Sequence, residues 1–190
     1  MKRFSTSYVQ VVQRVYRLVL LQLLWLLFTL FGGIVLGLFP ATYALVEVMK
    51  NKEIEDGKMI FRRFYQVYKS NWLSLNTAGC IWVIMFILMV TNIFLFRGLL
   101  FMQCIITGIL LYMLLSLIYF FLFYIPKQPI IKQIYYSFAY GFAFPKNNIL
   151  IIACLVALYI GIQMVPGVMF FIGISMSFFL FEKLDFQLSS

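Results

Sequence analysis

Residues 18–46 pass without one charged side chain, a run of 29, and three more such runs follow: 70–96 (27 residues), 98–126 (29) and 147–181 (35). Crossing the hydrocarbon core of a bilayer takes about 20 apolar residues, and a helix of about 14 suffices for a soluble core. Four runs of this length in 190 residues leave no room for a water-soluble domain. The expected fold is all-α: a polytopic transmembrane helical bundle in which residues 1–190 form a single integral membrane domain.

Hydrophobic residues make up 64% of the chain and charged ones 11%, against roughly 25% charged in soluble domains. The formal charge of +9 raises the question of nucleic acid, but the basic residues stand singly between apolar runs. Lys and Arg so placed set membrane orientation and meet anionic lipid headgroups, so the expected partner is the bilayer and not nucleic acid. Cys80, Cys104 and Cys154 each lie inside an apolar run, an odd count without metal or disulfide spacing, and read as small apolar side chains. Lys2 and Arg3 resemble the start of a signal peptide. The apolar run begins only near Val15 and is too long for one, which predicts a retained segment.

Orientation follows from the Lys and Arg between the runs. If residues 18–39 cross once and Pro166-Gly167 divides the last run, ten positive residues face five across five spans. If the first run instead turns back at Gly32-Gly33, fourteen fall on one side and Arg97 alone on the other. The cleaner partition predicts six membrane segments with both termini cytoplasmic, five being the alternative. The hairpin arms, 15–31 and 34–49, are short for full spans, and Pro40 interrupts the second. Proline removes a helical hydrogen bond, so the stretch 37–40 reads as a kink packed on other helices or as the base of a re-entrant segment.

The connecting segments carry helical periodicity of their own. Phe61, Phe64, Tyr65, Tyr68 and Trp72 share one helix face, Arg62, Arg63, Gln66 and Lys69 lie off it, and Asp56 suits the N-cap. This predicts a short amphipathic interfacial helix whose Arg62, Arg63, Lys69 and Trp72 face lipid headgroups. Phe4, Tyr8, Val11 and Val15 repeat the pattern before the first run. Ile131, Ile134, Tyr135, Phe138 and Phe142 repeat it after Pro129. The chain thus parses as three units, each an interfacial helix followed by a membrane hairpin, although aromatic belts with basic flanks give the same look without a repeat.

Catalytic equipment is sparse. The chain has no His, and Glu53, Glu55, Asp56, Glu182 and Asp185 lie outside the apolar runs. Glu47 stands at a segment end near Lys50, a neutralising neighbour. No acid–base pair, metal set, cofactor motif or phosphate loop emerges, so no enzyme activity and no cofactor are expected. Gln22, Thr29, Thr42, Thr91, Asn92, Gln103, Thr107, Ser116, Gln163 and Ser175 are the polar residues within the runs, each able to bond a neighbouring helix. The candidate functional centre is the kink: Gly33 and Gly37 for close helix approach, Phe39, Pro40 for the break, and Thr42 for a hydroxyl. Pro40 there frees the Leu36 carbonyl.

Residues 23–33, Leu-Leu-Trp-Leu-Leu-Phe-Thr-Leu-Phe-Gly-Gly, lead on to Gly37-Leu38-Phe39-Pro40-Ala41-Thr42-Tyr43-Ala44-Leu45. With Lys69, Asn71, Trp72, Asn76 and Gly79, this resembles the YesL-like family of small bacterial membrane proteins, whose biochemical function is undetermined. Members are often encoded beside binding-protein-dependent sugar transporters and glycan-degrading enzymes of Gram-positive bacteria. The resemblance therefore implies an accessory or regulatory role in carbohydrate (ABC-type sugar) uptake, through contact with permease subunits. A small permease for a sugar or another solute is the alternative.

Overall fold

The computed structural model describes residues 2–51, 56–164, 175, 177 and 178. The elements that can be delimited among them are six helices: α1 (Lys2–Phe31), α2 (Val35–Lys50), α3 (Gly57–Leu95), α4 (Leu100–Phe123), α5 (Ile130–Ala143) and α6 (Pro145–Met164). The described parts of α1, α3 and α4 contain stretches long and apolar enough to cross a membrane, and the bent pair α5–α6 makes a fourth if it counts as one span. These are the helices of a multi-pass membrane protein. At 16 residues, or about 24 Å, α2 is shorter than the roughly 30 Å hydrocarbon core. The division at Pro166-Gly167 lies outside the described residues.

The chain separates into two compact units, Met1–Ser70 with Leu150–Ser190, and Asn71–Ile149. In the first, α1 and α2 form the antiparallel hairpin expected at Gly32-Gly33. Its base is fastened by Arg17, whose Nη2 donates to the carbonyls of Val48 (2.8 Å), Met49 (3.4 Å) and Asn51 (2.6 Å). A guanidinium there satisfies carbonyls left over at the end of α2 and complements its dipole. Asp56 caps α3, accepting from the Lys58 N–H at 3.2 Å.

The aromatic stripe of α3 has a different partner from the one its periodicity suggests. Phe28 of α1 is ringed by Phe61, Phe64, Tyr65 and Tyr68 at centroid distances of 5.0–6.2 Å. Phe64 is fully buried, as are Ile60 and Leu75, so the packed face of α3 runs Ile60–Phe64–Val67 and leaves Phe61, Tyr65 and Trp72 largely exposed. Nor is the segment a separate short helix. No proline or glycine follows Tyr68 until Gly79, so the helix propagates unbroken from Gly57 to Leu95, about 58 Å. Likewise α1 is continuous from Lys2, and the side chains of Phe4, Tyr8 and Val11 lie outside those described.

Among the described residues, the segment after Pro129 does form a short helix of its own. Pro145 cannot donate to a helix carbonyl and pushes Phe144 out of helical geometry (φ −122°, ψ 65°), so α5 and α6 meet at 95°. In the second unit α5 buries Gln133, Ser137 and Gly141 and turns Ile131, Tyr135 and Phe142 outward. Tyr112 of α4 reaches over Gly141 to donate to the Phe138 carbonyl, and Tyr119 donates to Asn148 Oδ1 at 2.9 Å. Trp82 of α3 stacks on Phe138 (5.5 Å, 19°), and Phe123 on Tyr140 (4.5 Å, 24°).

Candidate functional site

The turn of the hairpin is built from two fused backbone motifs. The Ile34 N–H donates to the Thr29 carbonyl (2.9 Å) and the Gly33 N–H to that of Leu30 (3.0 Å), with Gly33 at φ +71°. This is a Schellman cap, in which glycine supplies the left-handed residue. Val35 then donates to the Gly33 carbonyl at 2.8 Å around Ile34, whose φ 63° and ψ −67° make the rare, strained form of γ-turn.

Close approach of the two arms depends on Gly37. A Cβ there would strike the Thr29 carbonyl oxygen and lie 2.8 Å from that of Phe28. Its partner across the seam is Gly32, and nothing stands within 4 Å of a Cβ on Gly33. The spacing pair read from the sequence, Gly33 with Gly37, thus resolves into Gly33 for the turn and Gly37 for contact.

Gly37, Phe39, Pro40 and Thr42 are all buried on α2. Trp25 of α1 donates its indole N–H to Thr42 Oγ1 (3.0 Å), which donates to the Leu38 carbonyl (2.7 Å). One turn along the seam from Trp25, Thr29 Oγ1 is buried without a hydrogen-bond partner. On the same face of α1, buried Gln22 accepts from both the N–H and the hydroxyl of Ser175, each at 3.0 Å. Gln22, Trp25 and Thr29 therefore form a polar line at i, i+3 and i+7 along α1.

The remaining polar residues of the runs mostly satisfy themselves. Thr91, Asn92, Thr107 and Ser116 each donate to the carbonyl four residues earlier in their own helix. Gln22 and Thr42 instead bond another segment, as Tyr112, Tyr119 and Ser74 do in the second unit. Of the residues expected at lipid headgroups, Arg62 and Lys69 are exposed, Arg63 is partly exposed and Trp72 is 38% exposed; the first three belong to the first unit and Trp72 to the second.

Arg17, Trp25, Phe28 and Ile34 belong to this site and did not stand out in the sequence. For Arg17 a signal was present: a hairpin turning at Gly32-Gly33 brings its own basic flank opposite the end of the second arm. Ile34 offers none, because a β-branched residue is the last expected at positive φ. Residues 18–93, which include α1 from Leu18 onward, α2 and nearly all of α3, match the family described as "Protein of unknown function, DUF624". No curated protein and no solved structure shows significant similarity to the chain.

Proposed function

We propose that this is a YesL-like protein of the bacterial cell membrane, with six membrane segments and both termini cytoplasmic. In this reading it acts without catalysis as an accessory or regulatory subunit in carbohydrate uptake, by helix contact with a sugar permease. The orientation rests on the fourteen-to-one division of Lys and Arg that a hairpin at Gly32-Gly33 produces. The observation that carries the contact role is the self-satisfaction of the membrane polar groups. Thr91, Asn92, Thr107 and Ser116 bond their own helices, which favours surfaces made for packing over a polar conduit.

Pull-down from detergent-solubilised membranes with quantitative proteomics tests the reading. Enrichment of transporter subunits is the expected result, and recovery of none above background would overturn it.

One feature favours the alternative, a small permease. Tyr119, Phe123, Gln133, Ser137 and Tyr140 line a cavity of about 100 Å³ in the second unit, a mixture of rings and uncharged polar groups suited to a neutral hydroxylated solute. Sugar flux in proteoliposomes above that of protein-free vesicles would move the conclusion to this alternative.

A further inference from the structure

We infer that α1 and α2 form a re-entrant hairpin, whose turn ends among lipid acyl chains and does not emerge on the face opposite its base. Three independent features carry this. The first is side-chain chemistry. From Leu30 to Ala41 the chain holds no polar side chain, and Leu30, Phe31, Ile34 and Val35 are all exposed, Phe31 by 81%. A turn that surfaced in headgroups or water would place this cluster in the one environment where it gains nothing.

The second is the backbone. The N–H groups of Gly32, Gly33, Ile34 and Val35 donate to the carbonyls of Phe28, Leu30, Thr29 and Gly33. Hydrocarbon offers no water as a partner, and only internally bonded backbone is tolerated there. The strained γ-turn at Ile34 is the conformation that supplies the last of these bonds.

The third is position. Tyr68 Oη lies 3.5 Å from the Phe28 carbonyl and 2.7 Å from where a Gly32 Cβ would stand. The residue after Tyr68 is Lys69, on the basic segment with Lys58, Arg62 and Arg63. Lys69 thus stands near the level of the turn, and its ammonium reaches headgroups only by snorkelling, so the tip lies in the shallow acyl region on the side of the hairpin's base. The occupant of this apolar tip is therefore the lipid tail region itself.

The test uses the full-length protein in lipid vesicles with Cys80→Ala, Cys104→Ala and Cys154→Ala, carrying a nitroxide at Ile34→Cys or Val35→Cys. A third label at Ile105→Cys on α4 reports whether the long helices lie in lipid at all, independently of the hairpin and of any role in uptake. The turn labels are expected to collide with oxygen and to be hidden from a soluble nickel chelate, as at position 105. Val35→Cys should also resist impermeant maleimide in intact cells, where Leu99→Cys reacts. Nickel access at 34 or 35, burial from both quenchers, or maleimide labelling at 35 from outside would each overturn the inference.

Discussion

The indole N–H of Trp25 and the hydroxyl of Thr42 meet at 3.0 Å across the hairpin, and the same hydroxyl donates to Leu38 at 2.7 Å. With a donor and an acceptor both engaged inside the protein, Thr42 ties the two arms together beside Pro40, which lies inside a continuous α2 and not at the expected break. Thr42→Val keeps the shape and leaves the indole N–H without its partner, at an expected cost of about 1 kcal/mol. Expression and insertion should survive, and unfolding in a detergent–SDS titration should shift accordingly. Adding Trp25→Phe should cost less than its effect alone, because the orphaned donor is then gone. Additive losses would mean that the two groups are not coupled.

Gly37→Ala should cost about 1–3 kcal/mol, since its Cβ meets backbone oxygens of Thr29 and Phe28 that cannot move without separating the arms. Gly33→Ala faces open space and carries only the strain of φ +71°, about 1 kcal/mol. The order of the two midpoints in the same titration checks the assignment of contact to one glycine and turn to the other.

Relief of strain should be measurable at Ile34. Ile34→Gly removes a β-branched side chain from φ 63° and is expected to stabilise the hairpin by about 1 kcal/mol. Ile34→Val, equally β-branched, should give no such gain.

Removing the clamp with Arg17→Met leaves the carbonyls of Val48, Met49 and Asn51 without their shared donor. A loss of about 2 kcal/mol is expected, with faster proteolysis between α2 and α3. Arg17→Lys should recover less than half of it, because an ammonium lacks the planar fork.

For the termini, an engineered cysteine at Ser5 or Ser189 should stay protected from impermeant maleimide in intact cells, while Leu99→Cys reacts. Labelling at Ser5 alone would support five segments in place of six.

The charge-free runs revealed a membrane protein because charge is excluded from hydrocarbon whatever the tertiary fold. The turn at Gly32-Gly33 was legible for a related reason, since a double glycine and a charge count both mark it. The stripe Phe61–Phe64–Tyr65–Tyr68 was legible as a helix face but not in its destination. An aromatic face looks the same whether it meets lipid or Phe28, and only packing separates them. Continuity of α3 was equally hidden, because basic residues flanking a span suggest a boundary where the backbone has no breaker. Pro145 shows the converse: where a breaker exists, the helix ends. Gln22 and Thr29 were legible as polar residues of the first run, but the pairing of Gln22 was not, since Ser175 lies 153 residues beyond its partner.

That separation has a bearing on how the protein is made. The hairpin closes through short-range contacts, 17 residues between Trp25 and Thr42 and 31 between Arg17 and Val48, so it can assemble while the ribosome is still adding α3. Gln22 must wait: the N–H and hydroxyl of Ser175 reach its amide oxygen only after 153 further residues have been added. A segment made late thereby becomes the latch on one made early, and the packing around Gln22 is completed only when the two meet.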